Sequence, residues 1–123
     1  MKRKIPHLAI WPMWLALPLT AFFYLNAWDQ LPVRMAVHFD ANWQANGWTT
    51  REGALQLGLS IMAFLLVLLT IAAYAICLIG KPASTIWIVL ATFYFSMGLL
   101  CYVNHGIVEY NLHSPPQRST VRS

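Results

Sequence analysis

The sequence predicts an all-α membrane protein, with three transmembrane helices and an extended extracytoplasmic loop between helices one and two. Three observations predict it. The runs Leu8 to Trp28, Ala54 to Gly80 and Pro82 to Asn104 contain no Asp, Glu, Lys or Arg. At about 1.5 Å per helical residue, each can cross a hydrocarbon core of roughly 30 Å. Of the 123 residues, 59% are hydrophobic and 10% charged, which would leave a soluble domain of this size with more apolar surface than it could bury. The net charge of +4 does not indicate a nucleic-acid partner, because Lys2, Arg3 and Lys4 cluster at the N-terminus and act there as a topology signal.

Residues 1–7 are read as a basic cytoplasmic N-terminus and 8–28 as the first transmembrane helix. A basic start followed by an apolar run also describes a secretory signal peptide. Here the run is too long, and Leu25 stands two before Ala27, where a cleavage site wants a small side chain. Pro12 and Pro18 each remove a backbone donor, so a bend is expected. With Lys2 to Lys4 held inside, helix one runs outward, helix two returns, and helix three leaves the C-terminus outside. Trp11, Trp14 and Trp87 fall near one boundary and Tyr24, Trp28 and Tyr102 near the other, as interfacial anchors do.

Residues 29–49 form the extracytoplasmic loop. Within it Val33, Met35, Val37 and Phe39 alternate with Arg34, Ala36, His38 and Asp40, the period of an extended strand with one apolar face. Asn46-Gly47 reads as a turn dipeptide. Thr49-Thr50-Arg51-Glu52 reads as a capping box with Thr49 as N-cap, so helix two covers 50–80. Gly80, Lys81 and Pro82 supply a stop, and helix three covers 84–104. Gly106 reads as its end, which makes 105–123, with Pro115-Pro116, a polar extracytoplasmic tail. The polar residues within the helices, Gln56, Ser60, Thr70, Thr92 and Ser96, and small ones such as Gly58, are of the kind helix packing uses. Cys77 and Cys101 lie in apolar runs and are read as small hydrophobes.

The run Leu31-Pro32-Val33-Arg34-Met35-Ala36-Val37-His38-Phe39-Asp40-Ala41, followed by Asn46-Gly47-Trp48 and then Arg51 entering an apolar helix, resembles the N-terminal domain of the Sdp-type bacterial immunity membrane proteins. Leu31, Pro32, His38, Phe39 and Gly47 are the specific positions. Asp40 stands where that pattern has Asn, Trp43 about where it has Gly, Asn46 where it has Asp, and Arg51 where it has Lys. The likeness covers about residues 11 to 70. It implies a bacterial inner-membrane protein, related to longer proteins that protect against a secreted toxin and signal across the membrane. The binding residues it points to are Leu31, Pro32, Arg34, His38, Phe39, Asp40, Gly47 and Trp48.

For chemistry, one constellation can be written. If helix three continued, His105, Glu109 and His113 would share a face at four-residue spacing and could join His38 around a metal. The Glu that a zinc-protease motif places beside its first His is missing. There is no phosphate-binding Gly-rich loop, no Cys pair at metal spacing and no ionisable residue in mid-membrane, so no enzyme and no cofactor is expected. Two function classes follow. One is a binding protein of immunity or signalling type, acting through the loop around His38. The other is an accessory subunit of a larger respiratory, photosynthetic or transport complex. The partners expected are the lipid bilayer and a membrane protein, or a second copy of the chain.

Overall fold

The computed structural model describes residues 5–113. The basic cluster Lys2 to Lys4 and the tail beyond His113 lie outside the described residues. Among the described residues three helices are long and apolar enough to span a membrane: α1 (His7–Asn26), α2 (Arg51–Leu78) and α3 (Ala83–His113), with mean hydropathies of 1.6, 2.7 and 2.0. Between α1 and α2 lie a short 3-10 turn (Trp28–Gln30) and two antiparallel strands, β1 (Arg34–Phe39) and β2 (Ala45–Thr50). The chain is thus a multi-pass membrane protein whose first connection is folded.

α1 is not one uniform helix. The segment Trp11–Leu15 is 3-10, and the α-helical turns resume at Ala16. Pro12 explains the break, because its ring clashes with the carbonyl four residues back and it has no N–H. Pro18 sits in the first turn of the resumed helix, where the missing donor costs little. In a 3-10 pattern the carbonyl of Ala9 would accept from residue 12, which is proline. The Tyr94 hydroxyl of α3 donates to it instead, at 2.6 Å. Tyr94→Phe should therefore cost about 1 kcal/mol in detergent unfolding, and no change would mean that another group already pairs this carbonyl.

The bundle is held by a stripe on each later helix. On α2 the buried residues are Ala54, Met62, Leu66, Thr70, Ala73 and Cys77, and on α3 Ile86, Leu90, Met97, Asn104, Val108 and Asn111. Both sets recur at three, four, seven or eight residues, one face of a helix. Cys101 is half-buried, and both thiols are free. Polar groups on these faces find partners on a neighbouring helix. Trp14 Nε1 donates to Thr70 Oγ1 at 2.9 Å, and the Tyr74 hydroxyl meets His7 Nδ1 at 2.6 Å and Trp11 Nε1 at 2.9 Å. Such pairs offset the cost of polar atoms in lipid.

Several expectations change. Helix three does not end at Asn104 but runs to His113, so 105–113 is helix and not tail. Its 31 residues make roughly 46 Å. Gly106 costs a helix interior about 1 kcal/mol relative to Ala, and the packing of Val108 and Asn111 outweighs that. The N-cap of α2 is Thr50, not Thr49: its side chain accepts from Gly53 N at 2.9 Å. Glu52 does not reach back to the cap but stands beside Arg51, with Oε2 3.8 Å from Nε. The connection after α2 is a tight one, as read, with Gly80 in the left-handed region at φ +76°.

Candidate functional site: a hairpin held on the helix ends

β1 is the strand that the alternation marks, and Met35 is fully buried. The apolar face is shorter than the pattern, however. Val33 is 71% exposed while Ala36 is 2% exposed, because β1 meets helices on its edge as well as on one face. The larger correction concerns Asn46-Gly47, which lies inside β2 and not in a turn. The turn is 40–44: Asp40 Oδ1 accepts from Asn42 N at 2.8 Å and Gln44 N at 2.9 Å, and Asp40 N donates to Gln44 O. An aspartate that bonds the backbone two residues on is a standard turn former. Trp43 completes the turn at φ +61°, an uncommon region for a side chain of this size, and is 80% exposed.

Pairing between the strands is irregular where His38 sits. The register runs Arg34 with Thr50, Met35 with Thr49 and Ala36 with Trp48. It then shifts to His38 with Gly47 and again to Phe39 with Ala45. Gly47 is required there, since a Cβ on it would lie 2.8 Å from His38 Cβ. The exposed His38 ring turns to Asn46, Nδ1 to Oδ1 2.6 Å. Gly47→Val is expected to break this pairing and destabilise the hairpin by about 1–3 kcal/mol, measurable as faster amide exchange across β2 with the helix signals unchanged.

Three contacts fix the hairpin to the bundle. The Asn111 amide of α3 bonds both backbone groups of Ala36: Oδ1 accepts from Ala36 N at 2.8 Å and Nδ2 donates to Ala36 O at 2.9 Å. It thus acts as one peptide group of a third strand on the outer edge of β1. At the hairpin's other end, Arg51 N donates to Val33 O at 3.0 Å, and Arg51 Nη1 donates to Trp28 O at 2.9 Å. Nearer the tip, Phe39 packs edge-on against Tyr110 of α3, centroids 4.9 Å apart. Below lies a buried polar node joining all three helices. The Tyr24 hydroxyl donates to Asn104 Oδ1 at 3.1 Å, Asn104 Nδ2 donates to Leu100 O, and Gly58 of α2 faces the amide. A cavity of about 180 Å³ between α2 and α3 has Tyr24, Gly58 and Asn104 in its wall.

The residues singled out by sequence fall into two groups. Leu31 is 4% exposed, in a cluster with Tyr24, Met35 and Val108, and Pro32 is half-buried before β1; these are core. Phe39, Gly47 and Trp48 are half-buried and shape the hairpin, while Arg34, His38 and Asp40 are exposed. The extended α3 does bring His105, Glu109 and His113 onto one face, with His105 Nε2 at 3.8 Å and His113 Nε2 at 3.2 Å from Glu109 oxygens. His38 takes Asn46, and His105 stacks edge-on against Phe23 at 4.9 Å. Among the described residues no three His, Cys, Asp or Glu side chains gather so as to hold a metal ion. Sequence reasoning missed Asn104, Asn111 and Tyr110. The signal for the first two was their seven-residue spacing in register with Leu90 and Met97, one helix face carried past Gly106.

The family described as Domain of unknown function (DUF1648) matches residues 15–62, which take in the end of α1, the hairpin and the start of α2. The match includes Arg51 and Gly58 and stops short of α3, so Asn104 and Asn111 lie outside it. No curated protein and no solved structure matches the chain.

Proposed function

We propose that this is a bacterial inner-membrane protein that acts by binding, of the immunity or signalling type, with the hairpin tip as its recognition surface and no turnover of its own. One observation carries the reading. The connection between α1 and α2 is a folded hairpin tied to the start of α2 and to α3, and at its tip it exposes Asp40, Trp43 and His38 without burying them in the bundle. Binding residues concentrate on such connections when a rigid scaffold holds them. An exposed Trp is a common anchor at interfaces.

The test is site-specific crosslinking in cells. A photo-crosslinking residue at position 43 should capture a discrete protein, and Trp43→Ala should weaken association without lowering the amount of protein in the membrane. The same residue at position 95, where Phe95 on α3 is 71% exposed, should give only lipid adducts. Capture at 95 with none at 43 would favour the accessory-subunit reading, in which helix surfaces make the contact.

The orientation that goes with this reading puts the N-terminus and Lys81 in the cytoplasm and the hairpin outside, as the Lys2 to Lys4 cluster favours. In a background lacking Cys77 and Cys101, a cysteine at Gln44 should react with a membrane-impermeant thiol reagent in intact cells. A cysteine at Lys81 should react only after lysis. The reverse pattern would invert the topology.

A further inference from the structure

The lipid-facing side of α2 carries two polar side chains that the described chain leaves unpaired. Gln56 and Ser60 are both exposed and stand four residues apart, on one face of the helix. They lie roughly 7.5 and 13.5 Å along the axis from Arg51, inside the charge-free run. Among the described residues neither side chain has a hydrogen-bond partner. Other polar groups within the spans do. Thr20 meets Met62, Thr70 accepts from Trp14, and Asn104 bonds Tyr24 and its own helix. The lipid-facing hydroxyls of α3 are paired as well: Thr92 Oγ1 donates to Ile88 O and Ser96 Oγ to Thr92 O, both at 3.0 Å. Such a hydroxyl turns back to the carbonyl four residues before it when nothing else is offered, and Ser60 does not. Beside Ser60 a groove of about 460 Å³ opens between α1 and α2, walled by Leu17, Pro18, Ala21, Leu59, Ser60 and Ala63.

An amide left in lipid without a partner is costly, and small residues beside it let a second helix approach closely. A Gln side chain offers an acceptor oxygen and two N–H donors, so two facing amides can satisfy each other. Copies of one membrane protein insert in one orientation. A two-fold axis along the membrane normal then sets each residue beside that axis against its own counterpart at equal depth. A different protein would have to carry matching groups at both depths, whereas a second copy has them by symmetry. We propose that the chain is a dimer whose two α2 helices pack in parallel along the Gln56–Ser60 face, amide against amide, with the groove beside Ser60 receiving side chains of the other copy. This contact is separate from the hairpin tip and does not depend on what the tip binds.

The experiment uses the whole chain in liposomes. Association is read by energy transfer between donor- and acceptor-labelled copies as the protein is diluted with lipid. Gln56→Leu should weaken the dimer about tenfold, the scale of interhelical hydrogen bonds in lipid. Gln56 touches no polar group of its own bundle, so the fold of the variant, read by circular dichroism, should be unchanged. Ser60→Ala should weaken the dimer less. Crosslinking gives an independent measurement with Gln56 in place. In a background lacking Cys77 and Cys101, Ser60→Cys should form a disulfide-linked dimer in native membranes oxidised with copper phenanthroline. A cysteine at Phe95, on the exposed side of α3, should not. A monomer at every dilution would remove the dimer, and association undiminished by Gln56→Leu would place it on another face. Adducts of Ser60→Cys with a different protein alone would make that protein the occupant, and a photo-crosslinker at position 56 that captures only lipid would leave the face to the bilayer. Each of these four results overturns the proposal.

Discussion

Asn111→Leu should undock the hairpin and lower stability by about 2–5 kcal/mol, the cost of leaving two buried backbone groups without partners. Ala36 is 2% exposed and Asn111 7%, so water cannot replace the lost bonds. Leucine keeps most of the volume, which separates the polar effect from a cavity. The third bond of the amide, Nδ2 to Ile107 O at 2.8 Å, is a local bond to α3's own backbone, whose loss costs little. The two bonds to Ala36 should account for nearly all of the effect. Amide exchange at Ala36 should accelerate strongly while exchange in the α2 stripe around Leu66 changes much less. Unchanged protection at Ala36 would mean that Phe39 on Tyr110 and the Arg51 contacts hold the hairpin by themselves.

The second large effect is expected at Gly58. A Cβ there would lie 2.5 Å from Asn104 Oδ1 and 3.6 Å from the Tyr24 hydroxyl. Overpacking of this kind costs about 1–3 kcal/mol for alanine, and alanine recovers about 1 kcal/mol in helix propensity. Valine gains less propensity and adds two methyl groups, so Gly58→Val should exceed Gly58→Ala and separate α2 from α3. Asn104→Ala removes the obstacle but leaves the Tyr24 hydroxyl, on a residue 1% exposed, without its acceptor. The pair Gly58→Ala and Asn104→Ala should therefore be less destabilising than the sum of the single changes, by about 0.5–3 kcal/mol in a double-mutant cycle. Strict additivity would show that Gly58 and Asn104 do not share space in the membrane.

The spans were legible in the sequence because their cause is coarse. A charge-free run of sufficient length has few alternatives in lipid, and the 3-10 break was visible in Pro12. β1 was legible from its alternation, since Met35 and Val37 do face the bundle. β2 was not. Ala45, Asn46 and Gly47 have poor strand propensity, and Asn-Gly usually marks a hairpin turn. What places them in a strand is Asp40, whose carboxylate closes the turn earlier, together with His38, which needs a glycine opposite. The end of α3 was misplaced for a related reason. Gly106 is a local stop signal, whereas Val108 and Asn111 continue the helix through contacts with residues some seventy positions away. Of the candidate site, the strand and its exposed polar residues could be read directly. The node of Tyr24, Gly58 and Asn104 could not, because nothing local in α2 says that the small residue at 58 faces an amide on α3.

The Asn111 contact also has a history during synthesis. Ala36 and Asn111 are 75 residues apart, and at about 5–20 residues per second the ribosome takes roughly 4–15 s to make the intervening chain. Throughout that interval the outer edge of β1 has no partner, and once Thr50 has been made the rest of the hairpin is already translated. An unpaired edge is a template for intermolecular strand pairing. Nascent chains of this protein therefore pass through a stage that a chaperone or a second nascent chain can intercept. Truncation before residue 111 should trap that stage, so that the hairpin aggregates although all three spans are present.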